Sequence, residues 1–229
     1  MKQFFDIVRK DLGSLSQTQV EGIELLVSRM SKLPIKHSAY ILATAWHETA
    51  KTMQPIAEYG KGKGKKYGVP DPVTGQTYYG HGYVQLTWKD NYDKANKRLK
   101  QLGIISPSVD LVNNPDTAMQ PLIASDILII GMTEGWFTGK KLSDCTTYIE
   151  MRKIVNGTDK AALIASYAET FEKALATINL VPIVPDVPVT PSIPAPLPKN
   201  VEKSIAAWII GIILVAFAAF GAWLTQGGN

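Results

Sequence analysis

The chain has 229 residues, of which 45% are hydrophobic and 19% are charged. This balance excludes disorder throughout and fits a globular domain with an additional apolar segment. A single cysteine excludes an internal disulfide framework and a cysteine-based zinc site. The formal net charge of +4 suits a polyanionic partner, such as nucleic acid, an anionic lipid surface or a bacterial wall, but also an ordinary enzyme surface.

The first residues contain no apolar run of useful length, because Asp6, Arg9, Lys10 and Asp11 interrupt it, so we expect no secretion signal there. Residues 1–180 are predicted to form one mainly α domain. Ser16 followed by Gln19 is typical of a capping box at the start of a helix. The apolar residues on one side of this helix are Val20, Ile23, Val27 and Met30.

Three further helices are predicted in this domain. Pro34 begins an apolar helix through His47, which we expect to be central. Pro115 is predicted to open one long apolar helix through Ile130, with a bend at Pro121. The last helix carries apolar residues at helical spacing: Leu163, Tyr167, Phe171, Ala174 and Ile178.

Glycine and proline interrupt the helical pattern over residues 53–87. Alternating runs at Lys66–Val69 and Gln76–Tyr79, joined by a turn-forming segment, predict a small β-hairpin. A long irregular stretch inside a helical domain is usually functional.

The C-terminal part predicts a linker and a membrane anchor. Residues 181–199 are proline-rich and favour an extended spacer with a reach of roughly 55 Å. Residues 204–225 are predicted to form one transmembrane helix, because residues 205–224 carry no charge and Trp208 and Trp223 lie near the ends of this segment. Lys199 and Lys203 precede the span, which places the N-terminal domain on the cytoplasmic side by the positive-inside rule.

Several familiar site patterns are incomplete. His47-Glu48 lacks the second histidine of a zinc protease motif, because that position holds Lys51. The lysine- and glycine-rich run of residues 61–66 fits neither the Walker phosphate-loop spacing nor the glycine spacing of dinucleotide-binding motifs. It is interpreted as a flexible cationic rim. We therefore expect no metal, no cofactor and no nucleic-acid partner.

Two carboxylates remain as candidates for chemistry. Glu48 lies near the end of the apolar helix, and Glu58 follows ten residues later, in the irregular stretch. Glycosidic cleavage uses one carboxylic acid to protonate the leaving oxygen and usually a second carboxylate opposite it.

The residues around these carboxylates form three ordered motifs. They are His47-Glu48-Thr49, then Tyr79-Gly80-His81-Gly82-Tyr83-Val84-Gln85-Leu86-Thr87-Trp88 with Asn91-Tyr92, and finally Ile154-Val155-Asn156-Gly157. Together they resemble family-19 glycoside hydrolases, which include chitinases and many phage endolysins. The resemblance covers roughly residues 15–180.

The resemblance implies a lysozyme-like, two-lobed helical fold and an inverting mechanism, with Glu48 as the general acid and Glu58 as the base. It also implies a set of substrate-binding residues: His47, Thr49, Tyr83, Gln85, Thr87, Asn91 and Asn156. In this set Tyr83 would offer an aromatic face to a sugar, and Asn156 would reach in from a late helix. The chain departs from the family in a shorter gap between acid and base, and in having His81 where arginine is common.

The expected function is a peptidoglycan hydrolase of the endolysin type, an N-acetylmuramidase, acting in host-cell lysis or wall penetration. The alternatives are a chitinase, a bound lytic transglycosylase, and a membrane-anchored glycan-binding or virion structural protein without turnover. The expected location is the host inner membrane or an internal membrane of a virion. The sequence leaves the oligomeric state open.

Overall fold

A computed structural model describes residues 1–178 of the chain. These residues form seven α-helices and one two-stranded sheet, in the order α1 Lys2–Leu12, α2 Gln17–Arg29, α3 Ile35–Glu48, β1 Ile56–Ala57, β2 His81–Gly82, α4 Lys89–Gln101, α5 Pro121–Glu134, α6 Tyr148–Met151 and α7 Ala161–Leu175. The prediction of a mainly α domain is confirmed. The predicted linker at 181–199 and transmembrane helix at 204–225 lie outside the described residues. Over residues 1–178, no helix combines the length and apolarity needed to cross a bilayer.

Helix α2 begins as the sequence predicts. The Ser16 hydroxyl accepts a hydrogen bond from the Gln19 N–H, and the Gln19 side chain accepts one from the Ser16 N–H at 2.7 Å. This reciprocal cap satisfies two backbone donors that the first turn leaves without helical partners. Ile23, Val27 and Met30 are buried, as their spacing predicts.

Helix α3 is the centre of the domain. Every residue from Ser38 to Trp46 is buried, and the helix packs most extensively against α7. Trp46 meets Phe171 edge-on, with ring centroids 6.3 Å apart. Full burial of a large apolar side chain contributes about 1.5–3 kcal/mol to folding. Burial of Trp46 against Phe171 therefore stabilises the end of α3, where Glu48 lies.

Helix α7 buries most of the predicted face but differs from the prediction at its start. Leu163 is 42% exposed, whereas Ile164, Ala168 and Phe171 are fully buried. Ile178 lies beyond the end of the helix. Ile178 still packs against the core, as do Tyr167, Phe171 and Ala174, so the prediction was wrong only at Leu163. Packing against α1 and α3 chooses the buried face, which a broad apolar stripe leaves ambiguous.

The predicted continuous helix from Pro115 through Ile130 is also wrong. Pro115–Met119 forms a 3-10 helix, Gln120 is extended with ψ of 127°, and α5 begins at Pro121. Proline disfavours the helical conformation in the preceding residue, so Pro121 starts a new helix instead of bending an old one. Helix α5 ends at Gly135, whose φ of 75° is left-handed.

The small sheet lies elsewhere than predicted. Ile56 pairs with Gly82 and Ala57 with His81 in antiparallel register. Lys66–Gly68 is instead a 3-10 turn, and residues 76–79 form no strand. The two predicted runs share a backbone hydrogen bond, from the Tyr78 N–H to the Tyr67 carbonyl at 3.0 Å. The helical turn at Lys66–Gly68 replaces the extended conformation that the first predicted strand needs, so no continuous ladder forms.

Candidate active site

Glu48 is the last residue of α3, and its carboxylate is paired with Arg152. The Arg152 Nη1 donates to Glu48 Oε1 at 2.6 Å. The Arg152 side chain is 2% exposed and that of Glu48 is 19% exposed. The Arg152 Nε donates to the Asp159 carbonyl at 2.9 Å, so the guanidinium is held on two sides. The Glu48 side chain is therefore oriented by a buried, fixed cation.

Arg152 lies outside the three sequence motifs and was not among the predicted site residues. It lies two residues before the Ile154–Gly157 motif, in a 3-10 helix whose other end is Ile154. An arginine flanked by buried apolar residues requires a carboxylate or carbonyl partner, because an unpaired buried charge is costly. That pattern, Met151-Arg152 followed by Ile154, was the available signal.

Glu58 follows β1 and continues its pairing with the opposite strand. Its N–H donates to the Gly80 carbonyl at 2.7 Å, and its Oε2 accepts from the Gly80 N–H at 3.1 Å. Its Oε1 accepts from the Tyr67 hydroxyl at 2.9 Å. The hydrogen bond to Glu58 raises the pKa of Tyr67, so the phenol remains a donor. Both carboxylate oxygens of Glu58 are thereby oriented.

His81 supports the strand that holds Glu58. Its side chain is buried, with Nε2 3.0 Å from Asp116 Oδ1 and Nδ1 within hydrogen-bonding distance of the Tyr79 carbonyl and the Tyr92 hydroxyl. The ring also stacks on Tyr79, with centroids 4.3 Å apart. Family-19 glycoside hydrolases, which the sequence resembles, commonly have arginine at this position. Here the position is a buried histidine whose ring nitrogens lie within hydrogen-bonding distance of their partners.

Gln85, Thr87 and Asn91 form one hydrogen-bonded loop beside this strand. Gln85 Nε2 donates to the carbonyls of Ile56 and Gly82 at 3.0 and 3.2 Å. The Thr87 hydroxyl donates to the Gln85 carbonyl, and Asn91 Nδ2 donates to the Thr87 carbonyl, both at 2.8 Å. A β-carbon at Gly80 would lie only 2.8 Å from Gln85 Oε1, so glycine permits this close approach. The structure thus brings these three residues to the sheet that positions Glu58.

Other predicted site residues are placed differently. Tyr83 and Thr49 are fully buried, so neither presents its side chain to a sugar. Tyr83 fills the core, where burial raises its pKa to about 12. The Thr49 hydroxyl donates to the Ala45 carbonyl at 2.7 Å and accepts from the Met53 N–H. Both assignments as substrate-binding residues are therefore wrong, because packing and backbone capping use these side chains.

His47 and Asn156 remain accessible. His47 is partly buried in the last turn of α3, beside Glu48. Asn156 is exposed in the loop between the 3-10 helix at Arg152–Ile154 and α7, rather than on a helix as predicted. Its side-chain oxygen accepts from the Gly157 N–H at 2.8 Å, a bond that shapes the loop.

An exposed aromatic ring lies close to Glu58. Trp88 is 49% exposed and packs edge-on against Tyr67, the hydroxyl donor to Glu58, with centroids 5.3 Å apart. Its φ of 72° is unusual for a residue with a side chain and turns the chain into α4. Trp88, which was not among the predicted site residues, is therefore a better candidate than Tyr83 for an aromatic surface against a sugar ring.

The arrangement suits acid–base chemistry. Over residues 1–178, no group of three or more histidine, cysteine, aspartate or glutamate residues is arranged to hold a metal ion. Two carboxylates are instead held by different partners, Glu48 by a guanidinium and Glu58 by a hydroxyl and an amide N–H. Carboxyl groups held in this way are candidates for proton donation and proton acceptance.

No protein-family model matches the chain. An acidic endochitinase from Petunia hybrida is 33% identical over 105 residues, which cover 44% of this chain and 34% of that protein. An acidic 27 kDa endochitinase from Solanum lycopersicum is 40% identical over 63 residues, covering 28% of this chain and 20% of the tomato protein. The chain is thus homologous to plant endochitinases over part of its length, and spans about a third or less of these relatives.

The fold has a solved counterpart. The crystal structure of chitinase C from Streptomyces griseus aligns over 76% of this chain and 75% of that chain, with a TM-score of 0.52 and 21% sequence identity. At that identity the likeness concerns the fold alone, and it confirms the predicted lysozyme-like helical architecture.

Proposed function

We propose that this protein is an inverting glycoside hydrolase that cleaves the glycan strands of bacterial peptidoglycan. The observation that carries the proposal is the pair of carboxylates, Glu48 and Glu58, each held by partners that orient it. Homology to plant endochitinases supports a glycosidase. Glu48 lies in the first of the motifs that resemble family-19 enzymes, and the same resemblance implies Glu58 as the base.

In this mechanism Glu48 is the general acid. Arg152 binds its Oε1, so Oε2 is the oxygen that gives its proton to the leaving glycosidic oxygen. As the proton leaves, negative charge develops on Glu48 beside a guanidinium that is already in place. Preorganised stabilisation of developing charge is a large contribution to enzymatic rate enhancement.

Glu58 is the general base. It removes a proton from the water that attacks the anomeric carbon on the face opposite the leaving group, which inverts the configuration. The Tyr67 hydroxyl and the Gly80 N–H hold the carboxylate in one orientation while it does so. An inverting pair requires carboxyl groups roughly 6.5–9.5 Å apart, with room for the water.

Chitin is the second candidate substrate. The relatives with detectable sequence similarity are endochitinases, and chitin shares its N-acetylglucosamine units with peptidoglycan. Peptidoglycan is preferred because the described domain carries a cationic surface next to Glu58, whereas chitin is uncharged. A glycan-binding or virion structural protein without turnover would not need two carboxylates with dedicated partners.

We further propose that residues 205–224 anchor the enzyme in a host inner membrane or an internal virion membrane, with the domain on the cytoplasmic side. The support is the uncharged twenty-residue span and the proline-rich spacer before it. An enzyme on that side would reach the wall only after the membrane is breached, so anchoring would delay lysis.

Digestion of purified sacculi and of soluble chitin oligomers, with mass analysis of the fragments, tests the activity. Reducing-end muramic acid identifies a muramidase, whereas anhydro ends identify a transglycosylase. Glu48→Gln and Glu58→Gln should each lower kcat at least ~100-fold. Glu24→Gln, an exposed change on α2, is the matched control. Folded Glu48→Gln protein with wild-type activity would overturn the mechanism.

A further inference from the structure

The segment immediately after Glu58 is a cationic loop, defined here as residues 60–66. Its four lysines are all exposed: Lys61, Lys63, Lys65 and Lys66. Glycines separate them at positions 60, 62 and 64, each with left-handed φ between 72° and 91°. Lys61 also has a positive φ, of 50°, so the backbone turns at three successive residues and again at Gly64, and the lysine side chains lie on the surface.

The loop is folded upon itself. The Lys63 N–H donates to the Gly60 carbonyl and the Lys65 N–H to the Gly62 carbonyl, both at 2.9 Å. A β-carbon at Gly68, just after the loop, would lie 2.0 Å from the Gly62 carbonyl oxygen, so glycine permits this close contact with the middle of the loop. The lysine backbones are therefore held in fixed positions before any ligand binds, which lowers the entropic cost of binding.

The charge of the loop is not neutralised within the described part of the chain. None of the ion pairs of residues 1–178 includes any of its four lysines. Residues 50–70 contain five lysines and one glutamate, a net charge of +4 that equals the formal net charge of the whole chain. A local excess of one sign attracts ligands of the opposite sign.

The loop is tied to Glu58 at both ends. The Lys61 N–H donates to the Glu58 carbonyl at 3.0 Å, and the Tyr67 hydroxyl, just after the loop, donates to the Glu58 carboxylate at 2.9 Å. The lysine-bearing loop is therefore anchored beside the residue proposed as the general base.

We propose that the cationic loop binds carboxylates of the stem peptides of peptidoglycan and so directs the site to peptidoglycan over neutral chitin. This inference rests on the proposed glycosidase function. Stem peptides hang from the lactyl groups of the glycan and carry free carboxylates, whereas chitin carries none. Lysine suits this task because its ammonium on a flexible stem accepts a range of geometries.

The test compares two full-length variants, in mild detergent, with the wild type. One carries Lys61→Gln, Lys63→Gln, Lys65→Gln and Lys66→Gln. The matched control carries the same change at four exposed lysines of other segments: Lys2, Lys10, Lys32 and Lys173. The substrates are sacculi free of phosphate polymers, the same sacculi with amidated carboxylates, and peptide-free glycan strands whose exposed lactyl carboxylates are amidated as well.

We expect the loop variant to lose about tenfold in kcat/KM on native sacculi, the sum of several weak exposed ion pairs. The loop variant should match the wild type on amidated sacculi and on peptide-free strands. The control variant should match the wild type on all three substrates. Added salt should lower wild-type activity on native sacculi only, because salt screens exposed charges. This salt measurement needs no variant and holds even if the loop variant folds poorly.

Equal losses on all three substrates, or no loss on native sacculi, would overturn the inference while leaving the proposed function intact. Salt dependence that persists on amidated sacculi would overturn it as well. Wild-type protein that cuts none of the three glycans would overturn the proposed function and this inference together.

Discussion

The guanidinium of Arg152 lies 2.6 Å from Glu48 Oε1, joining two segments that are 104 residues apart in the chain. Arg152 also holds the Asp159 carbonyl, so it links the end of α3 to the loop that leads into α7. The orientation of the candidate acid therefore depends on a residue from the last third of the domain.

Arg152→Lys should lower kcat at least tenfold, because a single ammonium cannot reproduce the two directed bonds of the guanidinium. Loss of a charge-assisted hydrogen bond should also lower the free energy of unfolding by about 2 kcal/mol, measured by urea denaturation. Arg9→Lys on the exposed face of α1 is the control. Wild-type kcat in Arg152→Lys would show that the pair has no catalytic role.

Tyr67→Phe should lower kcat about tenfold with a small change in stability, because it removes one of the two hydrogen bonds that orient the Glu58 carboxylate. Since that bond raises the pKa of Tyr67, the phenol stays protonated and the loss should be similar at pH 7 and pH 9. Tyr59→Phe, at a fully exposed neighbour, is the control. Activity of Tyr67→Phe equal to that of the wild type would remove Tyr67 from the site.

Trp88→Ala should raise KM for glycan substrates several-fold, with a smaller effect on kcat, because an exposed indole offers stacking area to a sugar ring. Tyr83→Phe should leave KM unchanged, since the Tyr83 ring is in the core. Steady-state kinetics on a soluble oligomer measures both. The opposite result, with Tyr83 controlling KM, would restore the interpretation made from the sequence.

Glu134→Gln tests an ion pair far from the chemistry. The hydrogen bond from Arg98 lowers the pKa of Glu134 below its ordinary value of 4.5. A carboxylate with a depressed pKa in the folded state stabilises the protein above pH 4.5, and this contribution is lost as the pH falls through the lowered pKa. The variant should lose up to about 1 kcal/mol at pH 7, because solvent screens a pair that is one-third exposed. The difference from wild type should shrink toward pH 3 in urea titrations; a difference independent of pH would contradict the assignment.

Removing residues 200–229 should give a soluble protein that still digests isolated sacculi, because the described helices form their own core within residues 1–178. The full-length chain should sediment with membranes and resist alkaline carbonate extraction. Recovery of the full-length chain in the soluble fraction would contradict the anchor. Protease access to the domain from outside an intact cell would contradict the proposed orientation.

Local signals in the sequence predicted the local structure. The Ser16–Gln19 cap, the start of α3 after Pro34 and the position of Glu48 at the end of that helix depend on residues within one or two turns of each other. The partner of Glu48 could not be found this way, because Arg152 meets it only through packing of distant segments.

The irregular stretch was predicted less well for a different reason. Gln85 and Trp88 adopt left-handed φ values of 53° and 72°, which change the direction of the chain twice within four residues. Neither helical nor strand periodicity then indicates which side chains face outward. Tyr83 was assigned to the site through the family resemblance, and no periodicity marked its ring as buried or that of Trp88 as exposed.

The two carboxylates also differ in how far along the chain their partners lie. Tyr67 and Gly80 are 9 and 22 residues from Glu58 in the chain. Arg152 is 104 residues from Glu48, more than four times the longer of those two separations. Closing a long loop costs more chain entropy and is slower, so the half of the site around Glu58 can order before the half around Glu48. During synthesis, the base and its partners emerge well before the arginine that completes the acid. Activity should therefore return late in refolding, together with the docking of α7 on α3, and not with the earlier ordering of the sheet.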